Sequence, residues 1–316
     1  MNSPASLLPT QSSAGEGALM ATRCGHVALI GRPNVGKTTL LNRLVGEKLA
    51  AITRKPHTTR HRILGIVSEE HFQSIFVDTP GMEPQPSKRM NQVLNRTAEQ
   101  ALGEADLVCF LVEAGRFDEG DAFILERIRA AGRPTLLVIN KVDRLADKSA
   151  LLPFIAQCAQ AYTYAAVVPL SARTGRQVGV LLQELRERLP VGPFLYDPEQ
   201  LSDRPERFRA EEMIREALLE RLGQEVPYAV AAQVERWEER PGIAHLDATI
   251  WVDRESQKGI VIGKQGQMLR RVGQDAREQL ERLLGRKVML RLTVRVHPGW
   301  TQSARALREL GIDESR

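Results

Sequence analysis

The chain has 316 residues, 42% of them hydrophobic and 26% charged, with 44 Lys and Arg against 39 Asp and Glu. That length suggests two domains, each with its own core, and the composition excludes bulk disorder and fibrous repeats. A net charge of +5 is too small by itself to imply a nucleic acid or an anionic membrane, and no stretch approaches the roughly 18 consecutive apolar residues of a membrane span.

Residues 1–24 are rich in Ser, Ala, Gly and Pro, lack the basic-then-apolar order of a secretory signal, and read as a flexible tail. Cys24, Cys109 and Cys158 share no metal-ligand spacing and point to buried free thiols in a reducing cytoplasm. Over residues 25–190, short runs apolar on both parities (His26–Ile30, Ser74–Val77, Leu107–Val112, Thr135–Ile139, Ala166–Leu170) alternate with helical segments (Lys37–Gly46, Lys88–Gly103, Asp121–Gly132, Ser149–Tyr162, Gln177–Leu189). Strands of that kind are buried on both faces, which predicts an α/β domain with a mostly parallel sheet and helices on both sides. The prolines and glycines of residues 191–204 read as a linker. A helix from about Pro205, two alternating runs, a glycine-interrupted helical region and the strand Val288–Val296 predict a smaller α+β domain over residues 205–300. Residues 301–316 read as a tail with a short amphipathic helix, Ala304–Leu310.

The first domain carries an ordered set of motifs. Gly31-Arg32-Pro33-Asn34-Val35-Gly36-Lys37-Thr38 matches a phosphate-binding loop between an apolar strand and a helix. Its backbone N–H groups can cradle phosphate, Lys37 can reach the β and γ oxygens, and the Thr38 hydroxyl can ligate magnesium. Asp78-Thr79-Pro80-Gly81 follows another strand, where Asp78 can hold magnesium through water and the Gly81 N–H can meet a γ-phosphate. Asn140-Lys141-Val142-Asp143 selects the base. The Asp143 carboxylate accepts two hydrogen bonds from the guanine edge, Asn140 braces neighbouring loops, and adenine would leave the carboxylate unpaired, so the nucleotide is GTP or GDP. Ser171-Ala172-Arg173 fits a backbone contact to the base. In the aperiodic stretch Glu47–Arg62, Thr59, or its neighbour Thr58, is the candidate to complete the magnesium shell when γ-phosphate is present.

This set resembles the translation-factor-related GTPases, and the Era-like family in particular. That resemblance implies slow GTP hydrolysis. Met82 stands where other GTPases place a water-orienting glutamine, which leaves the water-orienting residue unassigned, and Asn34 is implied to help hold a potassium ion.

In the second domain, charge divides. Residues 201–257 carry 8 basic and 13 acidic residues, whereas residues 258–308 carry 12 Lys and Arg. The basic part surrounds Ile260-Val261-Ile262-Gly263-Lys264-Gln265-Gly266, followed by Arg270 and Arg271. A G-x-x-G loop lets phosphates approach bare backbone, Lys264, Arg270 and Arg271 supply charge, and Ile260 and Ile262 line a groove for unstacked bases. The order α-β-β-α-α-β resembles a type II KH domain. An Era-like GTPase joined to such a domain implies a monomer that binds ribosomal RNA near the 3′ end of the small-subunit (16S) RNA and assists 30S subunit assembly, in the cytoplasm or weakly peripheral on the cell membrane. A different reading is a GTP-dependent docking module whose basic face meets an acidic protein or anionic lipid. Trp237, Trp251 and Trp300 are expected to pack rather than stack on bases.

Overall fold

The computed structural model describes residues 21–55, 57–86, 88–223 and 229–312, so the sequence expectations for the amino-terminal tail up to residue 20 and for residues 313–316 of the C-terminal tail lie outside the described residues. The first domain is a six-stranded sheet in the order β2-β3-β1-β4-β5-β6, built from β1 (Arg23–Gly31), β2 (Ile63–Glu69), β3 (Phe72–Asp78), β4 (Leu107–Glu113), β5 (Thr135–Asn140) and β6 (Ala166–Pro169). All neighbours are parallel except β2 against β3 at one edge. Between the strands run α1 (Lys37–Val45), α2 (Arg89–Glu104), α3 (Glu119–Ala131), α4 (Leu151–Ala161) and α5 (Val178–Arg188).

The double-sided apolar runs explain the layers. On β1, Val27 and Leu29 face one core with Leu40, Leu41 and Leu185, while Ala28 and Ile30 face the other with Phe110, Ile124 and Ile128. Successive strand residues point to opposite faces, so a strand covered on both sides must be apolar throughout. The three cysteines are free and buried.

The second domain contains α6 (Glu206–Arg221), β7 (Val230–Arg240), β8 (Ile243–Val252), α7 (Glu255–Ile262), α8 (Gln267–Leu284) and β9 (Lys287–Val296). Its sheet runs β7-β8-β9, antiparallel then parallel, with a bulge between Val234 and Arg236. Helix α8 buries Val272, Ala276 and Leu280 against the sheet, with Ile214, Leu218 and Ile250 in the same core.

Residues 194–204, in the stretch read as a linker, lie along β2 and its neighbour β3. Gln73 Oε1 accepts from Leu195 N–H (2.8 Å) and Tyr196 N–H (3.0 Å), and Leu201 O accepts from Ile66 N–H (2.9 Å). The C-terminal residues form α9 (Ala304–Glu309), and Trp300, Leu307 and Ile312 pack with Met90, Val93 and Leu94 of α2 and Ala231 of β7. An apolar cluster therefore ties the two domains together. Trp251 and Trp237 are half-buried beside Gln233 and Glu239.

Candidate functional site

The loops at the carboxyl ends of β1, β3, β5 and β6 converge on a cleft of about 770 Å³. An open parallel sheet presents its binding crevice there. Pro33, Asn34, Gly36, Lys37 and Thr38 form its floor, with Gly81, Asn140, Lys141, Asp143 and Ala172 around it. Close approach sets the glycines. A side chain at Gly36 (φ 104°) would meet the Asn140 amide at 2.3 Å, and one at Gly81 would meet the Pro33 backbone at 2.4 Å.

Lys37 is buried, and its ammonium donates to the carbonyls of Gly31 and Arg32, both at 2.9 Å. Desolvation brings its pKa down to about 8, so an anion in the cleft would restore favourable charge. Beside it, the Thr38 hydroxyl donates to Asp78 Oδ2 (2.6 Å) and lies 2.7 Å from the Thr59 hydroxyl. Burial pushes the Asp78 carboxyl up to about 6, and its Oδ1 is buried with no hydrogen-bond partner. Two hydroxyls and a carboxylate form an all-oxygen set that suits magnesium. Among the described residues no group of three or more His, Cys, Asp or Glu could hold a metal ion. Thr58 is engaged elsewhere, with the Thr53 hydroxyl (2.7 Å) and Lys55 O (2.7 Å), so Thr59 is the threonine brought to the cluster.

Asn140 ties three loops together. Its amide donates to Val35 O (2.8 Å), and its Oδ1 accepts from the N–H groups of Lys141 (2.8 Å) and Ala172 (3.0 Å). Asp143 accepts from the Ser171 hydroxyl and from Arg173, each at 2.6 Å; these bonds, Ser171 first, hold its carboxyl below the usual range. Lys141 pairs with Glu113 (2.7 Å), and Val142 N–H donates to Leu170 O (3.3 Å).

Several motif residues act from behind the cleft. Arg32 turns to Asp118 (2.8 Å) and Asp121 (2.9 Å) at the start of α3. Thr79 donates to Leu29 O (2.8 Å), Val35 is buried in the core, and Pro80 is buried. Met82, 0% exposed, packs with Ala28 and Phe110 and does not line the cleft. The Asn34 amide donates to Arg54 O (2.9 Å). Sequence reasoning missed the outer wall, Ala51–Arg54, His57, Glu113 and, from the second domain, Glu220. These residues belong to no fixed-spacing motif, and α6 is far away in sequence.

The second candidate surface is the α7–α8 junction. Gly263 (φ 70°, ψ 175°), Gln265 (φ 52°) and Gly266 (φ 75°) make the turn, with Lys264, Gln265, Arg270 and Arg271 exposed. Ile260 is 48% exposed beside it, whereas Ile262 packs partly against the core. Backbone, cationic side chains and one apolar residue thus share an accessible face.

A phosphate-loop domain carrying the Asn140–Asp143 motif at the cleft, joined to an α-β-β-α-α-β domain with a G-x-x-G turn, defines the class: a GTPase domain coupled to a KH domain. Residues 26–141 match the family model described as 50S ribosome-binding GTPase, and residues 225–301 match the KH domain model. The chain is 45% identical over 293 residues to GTPase Era of Coxiella burnetii (strain Dugway 5J108-111), covering 93% of this chain and 99% of that one, and 44% identical to GTPase Era of Pseudomonas aeruginosa (strain LESB58), covering 93% and 96%. The chain belongs to the Era family of GTPases. Two crystal structures are similar over 92% of this chain and 99% of theirs, each 35% identical: a single-substitution variant of Aquifex aeolicus Era bound to GDP and aluminium fluoride (TM-score 0.88), and Era with MgGDPNP and nucleotides 1506–1542 of 16S ribosomal RNA (TM-score 0.89).

Proposed function

We propose that this chain is a guanine-nucleotide switch that binds the 3′ region of 16S ribosomal RNA through its KH domain, assists assembly of the small subunit in the cytoplasm, and releases the RNA after slow GTP hydrolysis. The observation that carries this reading is the full-length likeness to an Era holding MgGDPNP and a 16S RNA segment together, in a chain that places oxygen donors at Thr38, Thr59 and Asp78 and a basic G-x-x-G turn in its second domain.

Lys37 and the loop N–H groups would hold the phosphates, and Asp143 would exchange Arg173 for the N1–H and amino group of guanine. Thr38, Thr59 and Asp78 would hold magnesium, which would neutralise charge between the β and γ phosphates. In hydrolysis a water oxygen attacks the γ-phosphorus and the bond to the β–γ bridging oxygen breaks, leaving GDP and phosphate. The buried Met82 thioether cannot orient that water, which accounts for a slow rate. Lys264, Arg270 and Arg271 would contact RNA phosphates, with Ile260 and Ile262 beside the bases. Potassium held beside Asn34 would favour hydrolysis, so rates in matched potassium and sodium buffers should differ.

The test is filter binding of an RNA with the 16S 3′-terminal sequence at fixed salt, with GTP analogue and with GDP. RNA should bind more tightly in the analogue state, and Asp143→Asn should abolish that difference at nucleotide concentrations that saturate the unmodified chain. Equal RNA affinity in the two states would sink the switch.

A further inference from the structure

The loop that brings Thr59 to Thr38 is fastened to its own domain through Asn42, Asn34 and Glu83, and also to α6 of the second. Glu216, 5% exposed, accepts from Ile52 N–H (2.7 Å) through Oε2 and pairs with Lys48 through Oε1. One turn earlier on the same helix, Glu212, itself paired with Arg215 (2.6 Å), accepts from Ala51 N–H (3.3 Å). Residues four apart stand on one helix face, so both carboxylates reach adjacent N–H groups of one extended segment.

The tie continues toward the cleft. Lys48 also donates to Gln279 of α8 (2.8 Å), Lys55 donates to Leu222 O, and the Thr53 and Thr58 hydroxyls, 2.7 Å apart, close the loop on itself immediately before Thr59. Just beyond Thr59, buried Arg60 donates to Val230 O of β7 (2.7 Å). The second domain therefore holds this loop on both sides of Thr59.

We propose that Glu216 is a positioning residue of the nucleotide site: from the RNA-binding domain it holds the Glu47–Arg62 loop in the arrangement that places Thr59 against Thr38, and so favours the triphosphate over the diphosphate. The inference rests on the reading of Thr38 and Thr59 as the γ-phosphate-dependent magnesium site. A diphosphate has no γ-phosphate for the Thr59 arm to serve, so a loosened loop weakens binding of one nucleotide and spares the other. A ligand shifts an equilibrium only by its differential affinity for the two arrangements. By reciprocity, whatever moves α6 relative to the first domain alters the same preference.

The experiment measures affinities of the full-length chain for magnesium with a non-hydrolysable GTP analogue and for magnesium with GDP, in Glu216→Ala, Glu216→Gln and Lys48→Ala. Glu216→Ala removes a charge-assisted acceptor and should lower analogue affinity about tenfold, with GDP affinity within about twofold. Glu216→Gln keeps an acceptor for Ile52 N–H and should lie between the two. Lys48→Ala removes a side chain that is 38% exposed, so it keeps the test valid should Glu216→Ala fail to fold, and it should lower the ratio about threefold. A general loss of structure would lower both affinities together. Analogue and GDP affinities that fall by one common factor, or that do not change in Lys48→Ala and Glu216→Gln, overturn the proposal. An unmodified chain that binds neither guanine nucleotide would instead overturn the GTPase reading itself.

Discussion

Glu211, beside the carboxylates that hold the loop, shows how one side chain couples interface burial to stability. Burial pushes its carboxyl up to about 7, partly offset by the bond it accepts from Val234 N–H (2.8 Å) and by the charge of Arg207. The folded chain thus keeps a proton that the unfolded chain gives up at its ordinary value of 4.5, and stability falls as pH rises from there through about 7. Glu211→Gln keeps an acceptor for Val234 N–H and cannot ionise. Urea unfolding should show the variant more stable than the parent by ~2 kcal/mol at pH 8, with the two converging near pH 4.5. A difference independent of pH would show that ionisation is not the cause. At this scale motif residues divide by direction: Lys37 and Asp143 line the cleft, whereas Arg32, in the same loop as Lys37, holds α3.

At the scale of elements, the turn between α7 and α8 depends on two glycines with different demands. Both have positive φ, but a side chain at Gly263 would meet Met268 Cβ at 2.6 Å, whereas nothing lies within 4 Å of the equivalent position at Gly266. Gly263→Ala should therefore lower stability by about 1–3 kcal/mol more than Gly266→Ala, read from denaturant midpoints, and should weaken RNA binding more. Equal effects would mean that the left-handed backbone, not the contact with Met268, sets the requirement. The inner strands β1, β3, β4 and β5 were legible because burial on both faces leaves a continuous apolar run, whereas the edge strand β2 is not among the runs read from the sequence. The stretch 194–204 was not, because its backbone bonds go to Gln73 and β2, partners that no local pattern announces.

For the whole molecule, the C-terminal segment is a structural part of the junction. Leu307, 0% exposed, packs with α2 residues of the first domain, and Arg60 lies 5.9 Å over the Trp300 ring. Leu307→Ala should cost ~2–4 kcal/mol and lower the thermal midpoint, checked by calorimetry. An unchanged midpoint would show that the cluster contributes little. The sequence reads Ala304–Leu310 as a short amphipathic helix, too short and too weakly apolar for a firm membrane anchor. In the structure its apolar residues Ala306 and Leu307 are buried within the protein, and among the described residues no helix is long and apolar enough to cross a membrane.

Both domain types, the phosphate loop, the Asn140–Asp143 motif and the G-x-x-G turn were legible in the sequence alone, because each depends on fixed local spacing beside a strand or helix end. The sequence also showed that positive charge concentrates in residues 258–308, which the whole-chain +5 conceals. It took the folded chain to place Thr59 rather than Thr58 against Thr38, to turn Met82 inward, and to bring Glu212, Glu216 and Glu220 of the second domain to a loop of the first. Those pairings join residues more than 150 positions apart. Periodicity describes one element at a time, so the docking of two domains is set by complementary surfaces that exist only once both have folded.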